Sequence, residues 1–286
     1  MKTLHELPED TLIEYLKLFD YPSLGYSWQF VLGCHDYEDP IYWQVISDSL
    51  CLFKYRKNKL YLFLCPLNDS HEKIINAIVY CFDELKIKGC ESFPIEYLEF
   101  LPSYYRIGFN VAERHIPMRE FYELKGRKFN TRRQDITACQ RKYDIKISTY
   151  TAVDYEGCQA VYNKWVKEFQ LRNPNIPVLY KNLENEMFCK DRGQNIYVAK
   201  ISNTIVGYIV GVNVTENLYG AVLIKYDNQY RGLYAYLLKA LSGFNLHKTE
   251  ITLGSEIRNN KVDKKKNIFT ASKILEMGLL YKSGII

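Results

Sequence analysis

Near its middle, the chain reads Glu123-Leu-Lys-Gly-Arg-Lys-Phe-Asn-Thr-Arg-Arg-Gln-Asp-Ile-Thr-Ala-Cys-Gln-Arg-Lys-Tyr143. Apolar residues recur in this stretch at seven-residue spacing, at Phe129, Ile136 and Tyr143, which predicts a helix with one face in a core. Cations stand before this helix or near its start, at Lys125, Arg127, Lys128, Arg132 and Arg133. Gly126 gives the backbone freedom to turn just ahead of most of them.

This concentration of charge has two interpretations. A helix start favours anions, and guanidinium groups there add planar forks of donors that fit a phosphate. The first interpretation is an anion-binding site, formed by Arg127, Lys128, Arg132 and Arg133. The second is a solvated basic face of the helix.

The same stretch resembles a family signature. The matching residues are Leu124-x-Gly126-Arg-Lys-Phe129, Arg132-Arg133-x-x-Ile136 and Tyr143. They are similar to the signature of the DUF2156 family, which includes the C-terminal domains of phosphatidylglycerol lysyltransferases. Gln134 and Cys139 depart from it, since the family usually has Asn and Phe there. The resemblance implies an α/β fold with two GNAT-like (acyl-CoA N-acyltransferase) domains, in which helices flank mixed, mostly antiparallel sheets.

Length and composition agree with such a protein. A chain of 286 residues suits two domains, which we place at 1–122 and at 123–286, the basic helix opening the second. With 47% hydrophobic and 25% charged residues, the composition is that of a folded protein. No apolar run is long enough to span a bilayer. Eight cysteines without CxxC spacing, and scattered histidines, predict free thiols, no zinc site and a cytoplasmic protein.

The second half has the more regular pattern of elements. We predict a helix over 154–170 with Trp165 and Phe169 on its apolar face, a hairpin over 195–213 and a third strand over 218–226. A helix from 232, a strand from 250, a helix over 268–277 and a final strand complete the order, which resembles the GNAT fold. The first half repeats the pattern loosely, with a hairpin over 50–65 followed by a helix.

The resemblance to that fold points to one turn. GNAT proteins hold a pyrophosphate at Q/R-x-x-G-x-G/A, and the matching segment here is Gln229-Tyr-Arg-Gly232-Leu-Tyr234. Its candidate ligand-binding residues are Gln229, Arg231 and Gly232. Tyr234 replaces a small residue and would crowd a close pyrophosphate, so we expect coenzyme A not to be held tightly. Alternatively, Gly232 only begins a helix.

Candidates for acid–base chemistry are few. Asp227, just before this turn, is either a general base or a helix cap. Glu256 and Asp263 resemble an acidic segment of the family, and Lys273 its following lysine; the alternative is a polar surface loop. No Walker loop or Ser-His-Asp pattern is present.

Three functions remain open. The first is transfer of an aminoacyl group from aminoacyl-tRNA to an amine or hydroxyl acceptor, which is a small molecule, a peptide or a lipid headgroup. The basic helix would contact the tRNA phosphates, and no cofactor beyond the donor would be needed. The second is N-acetyl transfer from acetyl-CoA. The third is a non-catalytic GNAT-like binding protein.

Overall fold

The computed structural model describes residues 1–35, 39–174, 188, 193–257 and 269–283. Their helices are α1 Glu9–Phe19, α2 Trp28–Gly33, α3 His71–Asp83, α4 Met118–Glu123, α5 Asn130–Tyr143, α6 Tyr155–Arg172 and α7 Leu233–Phe244. Their strands are β1 Lys2–Thr3, β2 Ile41–Ile46, β3 Ser49–Arg56, β4 Lys59–Leu62, β5 Cys90–Pro94, β6 Tyr105–Pro117, β7 Lys146–Thr149, β8 Asn195–Ile201, β9 Thr204–Asn213, β10 Leu218–Tyr226, β11 Glu250–Ile257 and β12 Lys273–Lys282.

These elements form two compact units. The first contains Met1–Glu113 and, among the described C-terminal residues, 255–257 and 274–283. The second contains Arg114–Gly254 and 269–273. The sequence pattern places everything after residue 122 in the second domain, whereas 274–283 joins the first unit.

The first unit has its strands in the order β1-β2-β3-β4-β5-β12-β6. The strand pairs β1/β2, β2/β3, β3/β4 and β5/β12 are antiparallel, and the pair β4/β5 is parallel. The predicted hairpin over 50–65 is β3/β4, and its two-residue turn has positive φ at both Lys57 and Asn58, as a tight hairpin requires. Helix α3 begins at the Ser70 cap and buries Ile78 and Phe82 in the core.

The second unit has the order β11-β10-β9-β8-β7. The predicted hairpin is β8/β9, with positive φ at Ser202 and Asn203, and β10 pairs antiparallel with β9. Helix α7 buries an apolar face of Leu233, Leu237, Leu238 and Leu241. The second unit combines helices with mixed, mostly antiparallel strands, and this α/β architecture confirms the predicted fold class.

The predicted helix over 268–277 is wrong. From Lys273 onward the chain is strand β12, which pairs antiparallel with β5 through Met277 and Pro94. Its buried residues Leu275, Met277 and Leu280 lie too close together to distinguish a short helix from a strand by periodicity, and pairing with β5 decides between them.

None of the described cysteines forms a disulfide and all of them are buried, and burial raises the pKa of the Cys34 thiol to about 12. Such thiols behave as small core residues. Within the described ranges, no helix has the length and apolar character needed to cross a membrane.

Candidate functional site

Strand β10 loses its pairing with β11 halfway along its length, while it stays paired with β9 as far as Tyr226. Its register with β9 shifts between Ala221 and Leu223, which marks a bulge. Its parallel pairing with β11 ends at Gly220–Thr252, although β10 continues to Tyr226 and β11 to Ile257. Bulges and the carboxyl ends of parallel strands are places where sheets bind ligands. The sheet of the second unit therefore opens beside the last residues of β10.

The turn that follows β10 is held together by Asp227. Its carboxylate accepts hydrogen bonds from the Gln229 backbone N–H at 3.1 Å and from the Gln229 side-chain amide at 2.9 Å. It also forms an ion pair with Lys164 of α6, and this hydrogen bond raises the pKa of the lysine. These contacts stabilise the turn itself and do not cap helix α7, whose cap position is Gly232 and has no side-chain hydrogen bond. A role for Asp227 as general base stays a prediction.

Helix α7 begins in close contact with helix α5. Gly232 has φ +91°, and a Cβ there would lie 2.3 Å from the carbonyl oxygen of Asp135. The neighbouring Arg231 reaches the Asp135 carboxylate, with both Nε and Nη2 3.0 Å from Oδ1. Glycine is required at this position because α5 occupies the space where a side chain would stand. Tyr234, one residue into α7, lies beside Tyr226, with ring centroids 5.8 Å apart.

Two of the predicted anion-binding residues contact other groups of the protein. Lys128 lies 2.6 Å from a carboxylate oxygen of Glu120 and 3.0 Å from the Thr270 hydroxyl. Arg133 donates to the carbonyl oxygens of Leu124 and Gly126 and to the Asn130 side chain, so it holds together the turn between α4 and α5.

Arg132 and Arg127 differ from these two. The guanidinium of Arg132 is half-buried and lies 4.9 Å above the ring of Phe269, and burial lowers its pKa. Phe269 in turn stacks on Phe121, with centroids 3.9 Å apart. Arg127 is exposed and has no ion-pair partner among the residues described. The anion site at these four residues therefore stays a prediction.

The remaining candidates are less defined. Glu256 lies within β11, not in a loop after it, and its side chain is outside the described part of the structure. Asp263 also lies outside the described residues. Lys273 is the exposed first residue of β12.

Residues of α6 were missed as part of the site. The sequence pattern places Trp165 on a core-facing stripe, but its side chain is only half-buried. The centroid of its ring lies 3.6 Å from Nζ of Lys225 in β10. Lys164 was not singled out at all. An aromatic residue next to a lysine on a helix was the available signal, but only the fold shows that α6 meets the end of β10.

Comparison with known proteins identifies the family. Residues 38–254 match the family described as phosphatidylglycerol lysyltransferase, C-terminal. The match covers most of the chain, so the chain belongs to this family, which confirms the resemblance seen around Phe129. No curated protein matches the chain.

Solved structures show the same fold. A conserved protein of unknown function from Bacteroides thetaiotaomicron VPI-5482 is 14% identical, with a TM-score of 0.82 over 97% of this chain and 98% of that one. L-PGS from Bacillus licheniformis is 13% identical, with a TM-score of 0.70 over 96% and 92%. FemX is 10% identical, with a TM-score of 0.60 over 96% and 97%. The chain thus shares its fold with these structures over nearly its whole length.

Proposed function

We propose that this protein transfers an aminoacyl group from aminoacyl-tRNA to an amine or hydroxyl acceptor. The observation that carries the choice of donor is the contact between Gly232 and the Asp135 carbonyl. In a turn that binds a coenzyme pyrophosphate, a glycine leaves room for the phosphates. Here helix α5 takes that room, so the glycine serves the packing of two helices. Tyr234 beside Tyr226 crowds the same turn further.

The opening beside β10 supports this chemistry. Main-chain groups at the bulge after Ala221 would orient the ester and polarise its carbonyl. The acceptor nitrogen or oxygen attacks the ester carbon and forms the new bond. The bond from that carbon to the ribose oxygen breaks, and the acceptor's proton ends on that oxygen. The reaction as proposed uses no cofactor beyond the donor, and Asp227 or Glu256 would be the group that carries the proton.

The family suggests the first substrates to test. The family name pairs a lysyl group with phosphatidylglycerol, whose headgroup offers hydroxyl acceptors. For this chain, a lysyl donor with such a headgroup is the leading pair, and peptides and small amines are further acceptors. Arg127 and Arg132 are the residues proposed to contact the tRNA phosphates.

The test compares donors under identical conditions. Total tRNA charged with radiolabelled amino acids is incubated with the protein and with vesicles containing phosphatidylglycerol, a peptide mixture or small amines. We expect label to move to one acceptor class and acetyl-CoA to support no transfer. Acetyl transfer at micromolar acetyl-CoA without aminoacyl transfer would establish the acetyltransferase instead. Binding of either donor without any turnover would establish a non-catalytic protein.

A further inference from the structure

Helix α6 carries a short row of stacked aromatic rings. Tyr162, Trp165 and Phe169 lie on one face of the helix, at spacings of three and four residues. The ring centroids of successive members are 6.3 Å and 5.1 Å apart, and the ring planes differ by 20° and 23°. All three side chains are half-buried, so each keeps part of its surface in contact with solvent. We call these three residues the aromatic ladder.

The aromatic ladder is attached to the turn after β10. Lys164, next to Trp165, forms the ion pair with Asp227 at the start of that turn. Asn228, the next residue, donates a hydrogen bond from its side chain to Glu168 of α6 at 2.9 Å. A substrate whose reactive end lies in the opening beside β10 would therefore have its neighbouring groups beside the ladder.

The carboxylates beside the ladder are paired with cations. The Asp227 carboxylate is paired with Lys164, and Glu168 is paired with Arg172 at 2.8 Å. Each of these two carboxylates, which would repel a phosphate, therefore lies next to a positive charge. The ammonium of Lys225 lies over the Trp165 ring, where ring and cation are presented together.

We propose that the aromatic ladder is a stacking platform for the single-stranded end of an RNA. This inference rests on the proposed function and deepens it, because it places the terminal nucleotides of the aminoacyl-tRNA donor. A base stacks on the Trp165 ring, and the Lys225 ammonium moves from the ring to the adjacent phosphate. Single-stranded nucleic acids are bound in this way, by aromatic rings for bases and cations for the backbone, with little dependence on sequence.

The first experiment measures binding of an uncharged, fluorescein-labelled single-stranded RNA octamer by anisotropy. Trp165→Ala should weaken binding roughly five- to 150-fold, the equivalent of one lost stack. Trp165→Phe, which keeps an aromatic ring, should lose much less. Leu171→Ala is the matched control, since Leu171 is 83% exposed on the same helix and outside the ladder; it should bind as the unaltered protein does.

Two further measurements do not depend on the folding of Trp165→Ala. RNA should quench tryptophan emission of the unaltered protein more than that of Trp165→Phe, in which only Trp28 and Trp43 remain. Lys225→Gln should reduce the slope of log affinity against log salt by about 0.7, the value for one phosphate contact on a single strand.

The outcomes separate this inference from the proposed function. Equal affinity of folded Trp165→Ala, equal binding of duplex and single-stranded RNA, or quenching unchanged in Trp165→Phe would each overturn the stacking platform. Preference of the ladder for an aromatic peptide over RNA would overturn it as well. RNA binding through Trp165 without aminoacyl transfer from any tRNA would preserve the platform and reject the transferase. Aminoacyl transfer from tRNA with an unchanged KM in Trp165→Ala would support the transferase and reject the platform.

Discussion

The Cα of Gly232 faces the backbone carbonyl of Asp135 so closely that no side chain fits between them. A Cβ at position 232 would lie 2.3 Å from that oxygen and 3.2 Å from the Cβ of Cys139. Helices α5 and α7 thus approach each other through main chain, and the Arg231–Asp135 ion pair lies alongside. The glycine that resembles part of a pyrophosphate-binding turn has a structural task in this protein.

Replacing Gly232 by alanine should destabilise the second unit strongly. The left-handed φ alone costs about 1 kcal/mol, and the clash with a backbone oxygen that cannot rotate away should raise the loss to about 3 kcal/mol or more. Gly193 is the matched control, since it has φ +68° and, its two chain neighbours aside, no atom of the described residues lies within 4 Å of the place that a Cβ would take there. Urea unfolding of Gly193→Ala and Gly232→Ala measures the difference, and equal losses would contradict the close contact.

Arg133 and Arg132 should have different roles, Arg133 in stabilising the fold and Arg132 in binding the ligand. Arg133→Ala removes donors from the Leu124 and Gly126 carbonyls and should lower the free energy of unfolding by about 1–2 kcal/mol. Arg133→Lys should recover only part of this, because an ammonium lacks the planar fork. Arg132→Ala should weaken tRNA binding with a smaller loss of stability. Thermal unfolding beside tRNA titration tests the pair, and the reverse assignment would refute it.

Arg127 and Lys128 are adjacent in sequence and should differ in their effect on RNA binding. Arg127→Gln should reduce the salt dependence of tRNA affinity by roughly 0.7 to 0.9 in slope, as expected for one phosphate contact. Lys128→Gln should change the slope by less than half as much, because Lys128 is engaged by Glu120 and Thr270. Affinities at four or more salt concentrations decide this, and identical slopes for the two variants would rule it out.

Asp154 should make the stability of the folded protein depend on pH in the acidic range. Burial acts to raise the pKa of this carboxyl, but hydrogen bonds from Lys200 and Thr151 prevail and hold it below the ordinary 3.8. A carboxyl group whose pKa is lower in the folded than in the unfolded state stabilises the folded protein at pH values above its unfolded-state pKa. That stabilisation is lost as the pH falls through the folded-state pKa.

The variant Asp154→Asn tests this linkage. Its stability deficit relative to the unaltered protein should be full above about pH 5 and shrink as pH falls below about 4. Urea unfolding between pH 3 and 7 measures the deficit, with Lys200→Met as a second removal of the same pair. A deficit that does not change with pH would show that packing alone is responsible.

Local patterns of the sequence predicted the elements that local interactions determine. Ile136 and Cys139 are buried within the helix expected there, and Phe129 is buried at the cap position just before it. The hairpin turns at Lys57-Asn58 and Ser202-Asn203 lie between the strands expected there. Spacing and turn chemistry act within a few residues, so a single sequence contains them.

The partners of charged side chains could not be predicted in this way. Lys128 meets Thr270, 142 positions away in the sequence, and Arg132 stacks on Phe269. The sequence shows a run of cations, but whether each contacts a ligand or another part of the protein depends on packing between distant segments. The same limit applies to Trp165, whose half-exposed ring is apparent only once β10 is seen beside α6.

The position of β12 in the first unit has a consequence for how the protein is made. Met277 pairs with Pro94, about 180 residues earlier, so the first unit stays without this strand until nearly the whole described chain has left the ribosome. Residues Leu275, Met277 and Leu280, all buried, belong to the same core as the N-terminal helices. Until they arrive, the nascent first unit exposes an unpaired strand edge at β5, and a chaperone that shields such edges would find its substrate there.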